Sequence, residues 1–317
     1  MLQNRDNLRS RKFNKDLPVI PAYLKPGDEI RIVAPASAVE GDYIEKTLEA
    51  MTELGYSISL GKNVHAVHKQ FAGSDDERTN DFQLALDDPD VKAIFCARGG
   101  YGSVRIVPHL DFTQFRKHPK WIVGFSDITL FHSLLNSGFN IASIHSPMPV
   151  NHDSPFFSEN LKRLDALLKG VGEDIFVGSN ALNRPGKVKG KIIGGNLSIL
   201  YSLQATPYEI DTADNILFIE DVGEQLYHLD RMLNNLKLSG KLTSLGGIVA
   251  GGFTSMQDKK RPFGKSPEEI IHDAVRDYAF PVMFNFPAGH MENNRPFILG
   301  TLVQLDINEE GATLKYS

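Results

Sequence analysis

The chain is poor in the residues that would open several simple explanations. It has one cysteine, Cys96, in 317 residues. A single thiol excludes an intrachain disulfide framework and any all-cysteine metal site. No run approaches the roughly 18–20 apolar residues of a membrane-spanning helix. No long basic tract offsets a formal net charge of −5, so a nucleic-acid partner has no electrostatic footprint. Residues 1–21 are charged and lack the apolar core of a secretory leader. These absences lead us to expect a cytoplasmic protein with neither membrane nor nucleic acid as partner. The rest of the composition, 41% hydrophobic and 23% charged, is that of an ordinary globular chain. Its length fits one large or two ordinary domains.

The first half alternates strand-like and helix-like segments. Lys25-Pro26-Gly27-Asp28 reads as a turn into an apolar strand at 29–34, and 39–54 has helical spacing with Gly55 as its C-cap. A strand at 56–60 follows. Ser74-Asp75-Asp76-Glu77 then starts a helix that stops at Asp87-Asp88-Pro89-Asp90. Further strands are expected at 91–97, 121–125 and 141–144, with a helix over 127–136. Such alternation predicts βαβ units and an α/β fold with a parallel sheet. The loops 35–37, 98–102 and 124–127 then fall at the C-terminal edge of that sheet, where open α/β folds bind ligands.

The character changes after residue 150. Residues 153–186 are polar and loop-rich, with one helix-like stretch at 158–168, and read as a linker. From 187 the chain shows short strands at 190–193, 215–219, 246–250 and 302–307, with helical pieces at 196–203, 225–238 and 267–278. The expected organisation is a loose arm (1–20), an α/β domain (21–152), the linker (153–186) and a second mixed domain with a smaller sheet (187–317).

Gly124-Phe125-Ser126-Asp127 is the most informative stretch. A serine between an apolar strand and a helix can present its hydroxyl above the sheet edge, with backbone N–H groups behind it. Taken alone, the commoner role for Ser126 or Asp127 at such a place is that of a helix cap. A nucleophilic serine needs a base and an acceptor that orients the base. His290 stands in a turn-rich run after apolar residues 282–284, and Glu220-Asp221 ends the apolar run 216–219. Arg98-Gly99-Gly100-Tyr101-Gly102 can bring backbone N–H groups to a reacting carbonyl, pairing the N–H of Gly100 with that of Asp127. Its spacing fits neither common phosphate-binding glycine pattern. Gly194-Gly195-Asn196 is a second close-approach stretch, either against substrate or as a tight turn into a helix. His65 and His68 lack a nearby acid of metal-site type, so no metal is expected. Cys96 reads as a small core residue, and His145 either lines the cleft or bonds local backbone.

The chain resembles the LD-carboxypeptidases, serine peptidases that include murein tetrapeptide carboxypeptidases and microcin C self-immunity proteins. The resemblance rests on eight pieces in one order. These are Gly27-Asp28 with 33–37, Gly73-Ser74-Asp75 with Arg78, the 97–102 loop, Gly124-Phe125-Ser126-Asp127, His145-Ser146-Pro147-Met148, Gly194-Gly195-Asn196-Leu197, Ile219-Glu220-Asp221, and Gly289-His290 with Asn294. It implies Ser126 as nucleophile, His290 as base, Glu220 as the orienting carboxylate, and an oxyanion hole at Gly100 and Asp127. It also implies a flavodoxin-like N-terminal domain, a smaller β-rich C-terminal domain, a site between them, a homodimer, and no metal or cofactor. Arg98, Gly99, Tyr101 and Asn196 are expected to contact substrate, with Arg98 a candidate receptor for a free carboxylate. Two departures stand out: Ser146 replaces the glycine of a His-Gly-Pro-Met motif, and 291–295 lacks the usual glycine-containing run. The expected activity is removal of the terminal D-alanine from murein tetrapeptides. The alternatives are hydrolysis of peptidyl or aminoacyl nucleotides, for which Trp121 is badly placed as a base-stacking platform, and a non-enzymatic two-domain binding protein.

Overall fold

The computed structural model describes residues 17–317. Residues 1–16 of the expected arm lie outside the described residues. The arm's end is tied down: Val19 bonds Asn140 and Ala142 through its backbone, beside the first sheet. In chain order the strands are β1 (Glu29–Val33), β2 (Ser57–Leu60), β3 (Val91–Cys96), β4 (Trp121–Gly124), β5 (Ser143–His145), β6 (Ile175–Gly178), β7 (Gly186–Asn196), β8 (Ile216–Val222), β9 (Gly247–Thr254), β10 (Val282–Met283), β11 (Phe297–Leu299), β12 (Leu302–Ile307) and β13 (Gly311–Tyr316).

The first sheet has the order β2-β1-β3-β4-β5, all parallel, with β11 added antiparallel to β5. The five parallel strands follow the flavodoxin-like order, whose connections reverse direction between β1 and β3. Both faces of the sheet are covered, so its central strands are apolar throughout rather than alternating. Ile30, Ile32, Phe95, Trp121 and Val123 fill one core, and Val33, Ile94, Cys96 and Ile122 meet Phe115 and Phe131 in the other. Helix Asp75–Asp87 starts at a complete capping box between Ser74 and Glu77. The helix expected over 127–136 is broken into a short 3₁₀ turn (Ser126–Ile128), an α-helix (Thr129–Ser133) and a π turn (Leu134–Phe139) that ends at left-handed Asn140.

The second sheet runs β10-β9-β8-β7-β12-β13-β6, parallel from β10 to β7 and antiparallel beyond. It is mixed as expected, although with seven strands to the first sheet's six it is not the smaller one. Helix Leu226–Leu238 covers it with Leu226, Leu229, Met232, Leu233 and Leu236, the helical spacing that marked this segment in the sequence. The stretch read as a linker carries two structural elements. Helix Phe157–Leu168 buries Phe157, Leu161, Leu164, Leu167 and Leu168 in the first sheet's core, and β6 pairs with β13. Because β11 lies in sequence between β10 and β12 of the second sheet yet pairs with β5, both halves of the chain contribute to the first sheet.

Candidate active site

β4 ends at Gly124, and the backbone then turns at Ser126 with φ 63°, a left-handed conformation that a non-glycine residue adopts only at a cost of order 1–3 kcal/mol. The turn places Ser126 partly exposed above the sheet edge. Its surroundings over-determine this shape. A Cβ on Gly124 would lie 3.0 Å from Ile128 and 3.2 Å from the Met148 sulfur. The Gly124 carbonyl accepts from His132 Nε2 at 2.8 Å and from the Ser146 N–H at 3.2 Å. Neither the 3₁₀ turn nor the helix after it has a side-chain N-cap bond, so Ser126 Oγ is not engaged as a cap. The Asp127 carboxylate instead accepts the Ser103 N–H at 2.8 Å, tying the elbow to the glycine loop after β3.

Ser126 Oγ lies 3.1 Å from His290 Nε2, and His290 Nδ1 lies 2.7 Å from Glu220 Oε2. The same carboxylate oxygen accepts the His290 main-chain N–H at 3.0 Å. Residues far apart in sequence therefore form one chain of contacts, from the end of β4 to the loop after β10 and then to β8. Since a carboxylate only accepts, Nδ1 carries the proton and the Nε2 lone pair faces the serine. Gly289 is needed where the chain passes Glu220: its φ is +110°, and a Cβ there would sit 2.6 Å from Glu220 Cβ. The Thr254 hydroxyl donates to the His290 carbonyl and so anchors the main chain that carries the ring. Burial disfavours the imidazolium, but the charge and hydrogen bond of Glu220 outweigh it, and the His290 pKa lies above its ordinary value.

Glu220 and Asp221 point to different tasks. β8 has an irregular register against β9 between Ile219 and Asp221. Asp221 accepts from Asn196 Nδ2, the Ser198 N–H and the Val222 N–H, each at 2.9 Å. Burial, reinforced by the neighbouring Glu220 charge, pushes its carboxyl up to about 7. Asn196, expected at substrate, has its side chain engaged: Nδ2 holds Asp221, and Oδ1 caps helix Leu197–Ser202 through the Ile199 N–H at 3.2 Å. The neighbouring glycine serves packing, since a Cβ on Gly195 would sit 2.8 Å from Thr129 Cγ2 in the helix that follows Ser126.

The loop after β3 approaches the serine from the other side. A Cβ on Gly99 would lie 3.0 Å from Ser126 Oγ and 3.2 Å from the Asp127 nitrogen, so this glycine keeps open the space in front of the hydroxyl. Gly100 has φ +93° and packs on Ser37, whose hydroxyl accepts the Tyr101 N–H at 3.2 Å. Arg98 is half-buried and donates from Nη1 to the Ala38 carbonyl at 2.7 Å, while Tyr101 is exposed beside Phe71. Buried Arg78 bonds the carbonyls of Pro35 at 2.6 Å and Gly102 at 3.1 Å, locking the loops after β1 and β3 together at the point where the connections reverse. Replacing Gly99 by alanine is expected to lower kcat/KM by at least about 10²-fold, by displacing Ser126, and to lower the melting temperature as well, because the added Cβ would meet the Ser126 Cβ at 2.8 Å. Steady-state kinetics beside a thermal melt checks this.

Sequence reasoning missed His132. It is fully buried, its Nδ1 lies 2.8 Å from Ser143 Oγ, and Nε2–H supports the Gly124 carbonyl. Burial lowers its pKa to about 4. With the folded-state pKa depressed, the unfolded chain takes up the proton first as pH falls, so stability is lost between about pH 6.5 and 4. His132→Gln keeps an N–H donor but cannot titrate. The stability gap between wild type and this variant is therefore expected to shift by on the order of 3 kcal/mol in the variant's favour from pH 7 to pH 4, read by denaturant unfolding at each pH. His145 is also neutral, its pKa pulled well down by burial, and sits 3.1 Å from Asn294 Oδ1, which also takes the Gly289 N–H at 2.9 Å. Cys96 is a buried core thiol whose pKa burial pushes up. Among the described residues no group of three His, Cys, Asp or Glu side chains is arranged to hold a metal ion.

Residues 30–146 match the LD-carboxypeptidase N-terminal domain and residues 189–305 the LD-carboxypeptidase C-terminal domain. Over 305 residues the chain is 35% identical to a probable murein peptide carboxypeptidase of Bacillus subtilis (strain 168), covering 93% of this chain and 94% of that one. The chain belongs to the LD-carboxypeptidase family. Among solved LD-carboxypeptidase structures, the muramoyltetrapeptide carboxypeptidase of Oxalobacter formigenes superimposes with a TM-score of 0.81 at 28% identity, over 91% of this chain and 98% of that one. The microcin C7 self immunity protein MccF, in complex with aspartyl sulfamoyl adenosine, superimposes with a TM-score of 0.83 at 20% identity, over 95% of this chain and 99% of that one. The latter likeness is one of fold. By family the protein is a peptidase-type hydrolase.

Proposed function

We propose that this LD-carboxypeptidase removes the terminal D-alanine from murein tetrapeptides by serine acyl transfer. The observation that carries the reading is the unbroken contact chain Ser126–His290–Glu220 at a strained strand-to-helix turn. Ser126 Oγ attacks the carbonyl at the L-centre of the diamino acid while His290 Nε2 takes its proton. Glu220 holds the imidazole tautomer and stabilises the imidazolium. The N–H of Asp127 lies in the first turn of its helix, where main-chain donors lack an intrahelical partner, and with the N–H of Gly100 it receives the oxyanion. His290 then protonates the leaving D-alanine amine, and water, activated by the same histidine, releases the tripeptide. Arg98 and Tyr101 line the approach to substrate.

The single tryptophan offers no platform for a nucleobase: Trp121 is wholly buried and its indole N–H donates to the Ala22 carbonyl at 3.1 Å. We read the protein as a cytoplasmic homodimer. Among the described residues no helix is long and apolar enough to cross a membrane, and light scattering tests the dimer.

Because His290 must be neutral to act as base, activity falls as pH drops through its pKa, which Glu220 holds above the ordinary 6.5. The acid limb of kcat/KM for a murein tetrapeptide is therefore expected above pH 6.5. A pH–rate profile with its midpoint below that value contradicts the assignment of His290 as base.

A further inference from the structure

Beside the loop that carries His290 lies a separate cavity of about 290 Å³. Helix Phe157–Leu168 supplies Glu159, Lys162 and Arg163 to its wall, and Glu173, Arg295 and Tyr316 complete it. Its charges are sorted by depth. The side chains of Arg163 and Arg295 are 25% and 18% exposed, whereas those of their acidic partners Glu159 and Glu173 are 56% and 67% exposed. Ion pairs to such exposed acids contribute little and exchange readily with solvent. A guanidinium carries five N–H donors. Arg295 uses Nη2 on Glu173, and Arg163 uses Nη1 on Asn160 and Nη2 on Glu159. Donors on both forks are left without an acceptor among the described residues. Burial, and then the neighbouring Arg163 charge, lower the Arg295 pKa, so the two cations crowd each other in this wall.

We infer that this cavity is an anion site that takes a phosphate dianion or the end of a phosphate monoester between the forks of Arg163 and Arg295, with Lys162 at the mouth. Two planar forks and an ammonium match a tetrahedral oxyanion better than a single carboxylate, which one fork satisfies. Both arginines also brace the histidine loop. The Arg295 main-chain N–H donates to the Pro287 carbonyl at 2.7 Å. Arg163 holds Asn160 at 3.1 Å, and Asn160 Nδ2 donates to Asn293 Oδ1 at 3.3 Å. An anion that draws the two forks together therefore fastens residues 287–295 on both sides of His290.

The test is binding to the full-length protein without any peptide substrate, so it is independent of the proposed activity. At constant ionic strength, inorganic phosphate at about ten times its dissociation constant is expected to raise the melting temperature by about 2–4 °C, with potassium chloride giving no such rise. Glycerol phosphate, added in parallel, shows whether a monoester is accepted as well as the free ion. The Arg163→Gln/Arg295→Gln variant is expected to lose the shift, and Arg295→Lys to retain a weaker one. Amide exchange of residues 287–295 is expected to slow at least about threefold with phosphate. Isothermal titration of the wild-type protein keeps the idea testable if the double variant does not fold. No heat and no shift in the wild type, or a shift equal to that of chloride or unchanged in the double variant, overturns it.

Discussion

Replacing Ser126 by alanine is expected to lower kcat on a murein tetrapeptide by about 10⁴–10⁶-fold, leaving the fold and substrate binding in place. The magnitude follows from the proposed mechanism: Ser126 Oγ is held 3.1 Å from His290 Nε2, and without it the proposed base has no hydroxyl to activate there. The residual rate would come from the oxyanion donors acting on water. A companion variant separates chemistry from strain. Ser126 sits at φ 63°, where glycine carries no penalty. Ser126→Gly is therefore expected to be as inactive as the alanine variant while gaining stability relative to it by about 1 kcal/mol, read by denaturant unfolding. If both variants lose activity but the glycine form is the less stable, the turn is not under the strain argued here.

Replacing Glu220 by glutamine is expected to cost about 10⁴-fold in kcat. Glutamine can turn its amide N–H₂ toward Nδ1, favouring the wrong imidazole tautomer and removing the charge that stabilises the imidazolium. Asp221 cannot take over, because its oxygens are engaged by Asn196, Ser198 and Val222. The pH profile supplies a second readout. In the wild type the Glu220 charge outweighs the effect of burial on His290. With that charge gone burial prevails, so the acid limb of the residual activity should move to lower pH. A loss of rate with no movement of the limb would mean that Glu220 acts only through structure.

Much of this site could be read from local sequence. The capping box at Ser74 and Glu77 is a contact between residues three apart, and it forms as its sequence signature predicts. The elbow at Ser126 follows an apolar run and precedes a helical one, so its place at a sheet edge needs only the α/β pattern. Features that depend on distant partners were not legible. β11 is three residues long, and its partner β5 lies about 150 residues earlier, so nothing local marks it as part of the first sheet. The 153–186 stretch looks polar because helix Phe157–Leu168 is amphipathic, hiding five buried apolar side chains between charged ones. His132 gives no sequence signal, since its task is to support one carbonyl eight residues away in the chain. The Asn196 side chain is engaged in holding Asp221 and capping a helix, a pairing across β7 and β8 that appears only once the sheet is formed.

The most direct test is mass spectrometry of a murein tetrapeptide incubated with wild-type protein and with Ser126→Ala, quenched early and at completion. The account predicts loss of one D-alanine with the wild type alone, and an early adduct of the tripeptide acyl group on the peptide that contains Ser126. Full D-alanine release by the alanine variant, or an acyl adduct on any other residue, would contradict it.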